Sequence, residues 1–247
     1  MPVRLRAALL HLCLSALFAL LAALIAFRLW YPPPLAQAVD LQHIFLILLG
    51  VDVVLGPCFT FLVYRVGKKS LRMDLAVIVA VQLAAFAYGF AAVAQGRPAW
   101  LVFNMDRFDL VPAQDVDTRH RDAAAPAFRH APWTGPRWAA SRNPADAQAR
   151  NTLMFESAQG GPDLPQRIDL FVPLEDEAAA LRARARPLDD LRQFNPAPAV
   201  AAALARWPGA DGWLPLAARA RSMVVLVRRA DAQVLGVVDL RPWAGDD

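Results

Sequence analysis

Residues 7–27, 44–64 and 75–93 are runs so uninterruptedly apolar that each can cross a hydrocarbon core, which takes about 20 residues. Nothing else in the chain constrains the fold as much. In lipid every backbone N–H and C=O must be satisfied within the spanning segment, so each run must be helical. The 57% hydrophobic content is concentrated in the first hundred residues. The chain therefore divides into a three-helix transmembrane region, residues 1–96, and a domain outside the bilayer, residues 97–247.

Charge orients the helices. Arg4 and Arg6 precede the first run, and Arg65, Lys68, Lys69 and Arg72 crowd the connection between the second and third, whereas residues 28–43 carry only Arg28 and Asp40. Short loops rich in Lys and Arg stay in the cytoplasm. The amino terminus is thus predicted inside, and three crossings put the domain outside, in the periplasm of a Gram-negative cell. The domain balances 19 Arg against 19 acids. It offers no basic stripe for nucleic acid. Arg4, Arg6 and the Ala36-Gln37-Ala38 triplet imitate a secretory leader, but the apolar stretch exceeds the usual ~7–15 residues, so an uncleaved helix is expected. Cys13 and Cys58, one each in the first and second runs, read as small packing residues.

Asp52 breaks the pattern. By helical rise it lies about 12 Å from the outer start of the second helix and about 18 Å from its cytoplasmic end. A carboxylate at that depth is costly unless it is paired or faces a polar cavity. Pro57, five residues on, removes a backbone donor and leaves the Val53 carbonyl without its usual partner, while Gly56 permits a close helix approach. On the third helix Tyr88 lies about 20 Å from the cytoplasmic end and Gln82 about 10 Å, so depth favours Tyr88 as the hydrogen-bond partner. Asp52, Gly56, Pro57 and Tyr88 form the candidate site, serving either bundle packing or recognition of a partner helix.

In the outer domain "AWLVFNM" and "RFDLV" read as strands, and the close, "SMVVLVRRADAQVLGVVDLRPW", reads as a hairpin. Helices are expected from about Glu175 to a break at Pro187, and over residues 199–206. Residues 112–150, with Pro126, Pro132, Pro136 and Pro144, read as irregular, with Trp133 and Trp138 as anchors. The expectation is a small α+β domain on an antiparallel sheet with a C-terminal β-hairpin. Catalytic signatures are missing. His120 and His130 lack metal-site spacing, no phosphate loop or nucleophile elbow occurs, and Arg182, Arg184 and Arg186 read as a solvated face. The chain is expected to have no enzymatic activity, cofactor or metal.

The run "GVDVVLGPCFTFLVYRVGKKSLRMDL", residues 50–75, resembles the second-helix and cytoplasmic-loop pattern of the type IV pilin accessory proteins of the TfpX/TfpZ type. "WYPPPL" (30–35), "VFNMDRFDLV" (102–111) and "LGVVDLRPW" (235–243) are similar to other parts of that family. The resemblance implies an inner-membrane, chaperone-like protein that assists a pilin in stability, assembly or retraction, with a type IV pilin and the lipid bilayer as its partners. The competing expectation is a periplasmic ligand-binding sensor that signals through the basic loop to a separate partner.

Overall fold

The computed structural model describes residues 2–245. It divides into two compact units, Met1–Trp30 with Asp40–Gln95 and Tyr31–Val39 with Gly96–Asp247.

The first unit is three apolar helices, Val3–Trp30, Leu41–Val63 and Leu71–Gln95. Leu, Val, Ile and Phe side chains cover their outer faces, among them Leu10, Leu46, Leu62 and Val81. Ala8, Ala19, Ala22 and Ala26 are buried in the first helix, together with Trp30 at its end, and Gly89 of the third sits against Leu48 of the second. Such small residues let helix backbones approach where lipid supplies no hydrophobic drive. The first and third helices both pack chiefly on the second. They meet each other at one end, where the Trp30 and Phe90 rings lie 5.0 Å apart.

The second unit is a seven-stranded sheet in the order β4-β3-β1-β2-β5-β6-β7. Its strands are β1 (Pro98–Asn104), β2 (Arg107–Pro112), β3 (Arg137–Ser141), β4 (Phe171–Val172), β5 (Gly212–Ala217), β6 (Met223–Arg228) and β7 (Gln233–Val238). The β1–β2 pair and the expected β6–β7 hairpin are both antiparallel. The sheet as a whole is mixed, however, because β1 runs parallel to β3 and β2 parallel to β5. Both parallel neighbours are distant in sequence, a pairing that local pattern does not reveal.

Period-two alternation builds the two faces. Leu101 and Phe103 point one way with Leu214, Leu216, Val225 and Val227. Trp100 and Val102 point the other way with Val111, Ile168 and Phe171. Trp213, Val224 and Leu226 form a third cluster with Leu191 and Val200. The helices over Ala178–Arg184 and Ala197–Leu204 stand near their expected places.

Two elements differ from expectation. The stretch 112–150 contains β3 and the start of a helix, Ala147–Ala158, opened by Asp146, whose carboxylate accepts the Ala149 N–H at 2.7 Å. The connection Tyr31–Val39, between the first two helices, is built into the domain. Leu35 and Ala38 lie in the Leu101–Phe103 core, and the Ala38 carbonyl accepts the N–H groups of Ala220 and Arg221, both at 3.1 Å. Buried Arg97 spans the rim, its guanidinium 4.6 Å from the Trp133 ring and its Nε donating to the Pro132 carbonyl at 3.3 Å. Tyr31 is buried, which pushes its phenol up in pKa although Arg97 pulls the other way.

Candidate functional site in the membrane helices

Gly50–Leu55 is a π-helical stretch inside the second helix, ending just before Pro57. In that wider register the Asp52 carbonyl would accept from the N–H of residue 57, and proline has none. The orphan is therefore the Asp52 carbonyl, where regular α-helical spacing pointed to Val53. The Gln82 side chain fills the gap, its Nε2 donating to the Asp52 carbonyl oxygen at 3.1 Å. Gly56 makes room for it. A Cβ on Gly56 would stand 1.9 Å from Gln82 Nε2.

The Asp52 side chain is only 7% exposed, and neither carboxylate oxygen has a hydrogen-bond partner among the described residues. Gln82 Oε1 is likewise buried without a donor. Asp52 and Gln82 line a cavity of about 290 Å³ with His11, Leu14, Ser15 and Phe18 of the first helix and Val79, Leu83 and Phe86 of the third. His11 Nδ1 and Thr60 Oγ1 are 2.6 Å apart, joining the first and second helices beside this cavity. The arrangement concentrates hydrogen-bond acceptors in a place where water is scarce and an unmet acceptor is costly.

Of the candidate residues, the structure brings Asp52, Gly56 and Pro57 together and leaves Tyr88 apart. Tyr88 is 81% exposed, and it does not bond the Asp52 carboxylate. Depth along the helix favoured it, but phase decides. Six residues at about 100° each leave Tyr88 about 120° around the helix from Gln82, on a different face. Gln82, His11, Ser15 and Thr60 were legible only as polar residues in apolar runs. Arg65, Lys68, Lys69 and Arg72 stand exposed at the turn between the second and third helices, and Lys68 Nζ is 2.7 Å from Asp74 Oδ2.

The outer domain carries one dense charged cluster. Buried Asp117 accepts from Arg119 Nε and Nη2 at 3.1 and 2.9 Å and lies 3.5 Å from Arg167 Nε. Arg119 also reaches Glu156 at 3.0 Å, and Arg167 pairs with Asp169 at 2.9 Å. Burial works against the charge of Asp117, but the two guanidiniums hold its carboxyl below the usual carboxylate range. The network ties the strand-poor 113–120 segment to 156–169. Among the described residues no three His, Cys, Asp or Glu side chains gather to hold a metal ion, and His120 and His130 are exposed.

Three membrane helices joined to an α+β domain define the class: an integral membrane protein with a folded domain outside the bilayer. Comparison supplies the family. Residues 1–39, which include the connection built into the domain, match the family described as Fimbrial assembly protein FimB. The chain is 32% identical over 180 residues to the serogroup I fimbrial assembly protein of Dichelobacter nodosus, covering 72% of this chain and 70% of that one. The serogroup E1 protein of the same organism matches with the same identity and coverage. The protein of serogroups C1 and C2 is 32% identical over 108 residues, 43% of this chain and 82% of its own. No solved structure matches. The chain belongs to the fimbrial assembly protein family, in keeping with its resemblance to the pilin accessory proteins.

Proposed function

We propose that this protein assists the assembly of a type IV pilus from the inner membrane, by binding the pilin before or during its incorporation and not by catalysis. The observation that carries this is Asp52, a carboxylate buried to 7% exposure in a membrane helix with no partner for either oxygen among the described residues. Intramembrane ionisable groups are expensive and lean towards function. A membrane helix of another protein is the natural donor. Gln82, seated against Gly56, meets the Asp52 backbone carbonyl and not its carboxylate.

The names of the relatives support the assembly role. The basic turn at Arg65, Lys68, Lys69 and Arg72 supports a cytoplasmic amino terminus and a periplasmic domain. The union of Tyr31–Val39 with Gly96–Asp247 in one unit fits three crossings in either orientation, since both segments then leave the membrane on the same side. The periplasmic domain is suited to meet the soluble part of the pilin.

A clean deletion of the gene tests the proposal. Surface pili and twitching should fall while transcription of the pilin gene stays unchanged. Normal piliation in the deletion strain would refute it.

A further inference from the structure

The first and third helices touch at Trp30 and Phe90 and part along the other half of their length. The cavity that Asp52 lines continues there into a second of about 490 Å³, and the two share His11, Leu14 and Val79. Together they make one groove. Its lining on the first helix includes Val3, Ala7, Leu10, Leu14 and Phe18, a stripe at spacings of three and four, with Arg6, His11 and Ser15 beside it. The facing wall is Leu75, Val79, Leu83 and Phe86, at the same spacings. Stripes of this kind, some 16–22 Å long by helical rise, are the two sides of a seat for a further helix. The second helix forms the floor with Thr60 and Asp52.

Shape narrows the occupant to a helix, and chemistry narrows it further. Leu14, Phe18, Val79 and Leu83 are 44–56% exposed, so the groove beside Asp52 presents open apolar side chains on both walls. At the floor stand three acceptors without donors among the described residues, both Asp52 carboxylate oxygens and Gln82 Oε1. The geometry points to a docking groove for one transmembrane helix that brings a hydrogen-bond donor, a hydroxyl, amide or amine, to the depth of Asp52, completing a four-helix arrangement. Given the function proposed above, on which this inference rests, the occupant is the membrane helix of the pilin. A rival groove between the first and second helices, lined by Ala16, Ala19, Leu46 and Val53, is wholly apolar and offers no such complementarity.

Photo-crosslinking in cells tests the groove. Benzoylphenylalanine is placed singly at Leu14 and Leu83 in the groove, at Leu46 in the rival groove, and at Val81 on the outward face, in a strain whose pilin carries an epitope tag. Adducts to the pilin are expected from Leu14 and Leu83 and not from Leu46 or Val81. Pilin adducts confined to Leu46 or Val81 would overturn the groove and leave pilin binding intact. Adducts from Leu14 and Leu83 to lipid or to a second copy of this chain, in place of the pilin, would also overturn it. Failure to crosslink at all positions, in a protein that still co-purifies with pilin, counts against the groove alone; failure to co-purify as well removes the function on which it rests. As a second measurement, the Leu14→Trp, Leu83→Trp double variant fills the groove with apolar bulk. It should accumulate normally yet lose pilin capture, and undiminished capture would contradict the inference.

Discussion

Gln82 of the third membrane helix donates its side-chain N–H to the backbone carbonyl of Asp52 on the second, at 3.1 Å, and so does the work of the N–H that Pro57 lacks. One consequence is a coupling between two residues on different helices. Gln82→Leu should destabilise the bundle by about 0.6–1.7 kcal/mol, the range for intramembrane hydrogen bonds. In a Pro57→Ala background, where a backbone N–H returns, the same change should cost markedly less. Unfolding of the purified protein in detergent measures both, and strictly additive costs would contradict the relationship.

Gly56→Ala puts a methyl where Gln82 Nε2 stands. Its effect should match that of Gln82→Leu and should not add to it, because both remove the same bond. A silent Gly56→Ala would mean that the amide can move and still reach Asp52.

The outer domain depends on a connection far from it in sequence. Leu35 is 3% exposed within the Leu101–Phe103 core. Leu35→Ala should cost about 2–5 kcal/mol, as for other buried leucines, and limited proteolysis of the full chain should then cut residues 97–247 faster than in wild type. Equal protease resistance would show that the Tyr31–Val39 contact is dispensable.

The fold was legible where hydrophobic pattern is long or strictly periodic. The three membrane helices and the β6–β7 hairpin are of that kind. β3 was not, because "RWAAS" carries two alanines where strand propensity looks for branched or aromatic residues, and its strand character comes from the parallel pairing with β1. The helix Ala147–Ala158 buries only Leu153, too little for an amphipathic signal. The insertion of Leu35 and Ala38 into the domain is a tertiary contact that no local rule encodes. At the site, Asp52 is legible as an ionisable group at membrane depth, Pro57 as a missing backbone donor and Gly56 as a small residue beside it. Gln82 was not legible, because depth along the helix favours Tyr88 and only helical phase separates the two.

Acid should loosen the Asp117 network. Its carboxyl is held below the usual carboxylate range, so the stabilisation is complete at neutral pH and is lost as pH falls through that range towards the lowered value. Asp117→Asn should lower stability by about 1.5–3 kcal/mol at neutral pH and flatten this acid-side loss. Thermal unfolding between pH 7 and pH 3 reads both effects, and parallel acid profiles for the two proteins would assign the loss to other groups.

Capture of a pilin through the membrane helices is read out by co-purification from detergent-solubilised membranes. The wild-type protein should bring down the pilin of the same cell. Asp52→Leu, at wild-type abundance, should bring down at least about threefold less, the equivalent of one average intramembrane hydrogen bond, and Asp52→Asn, which keeps one acceptor oxygen, should lose less. Full pilin recovery with Asp52→Leu at wild-type abundance would contradict the account and leave Asp52 as a residue that packs its own bundle.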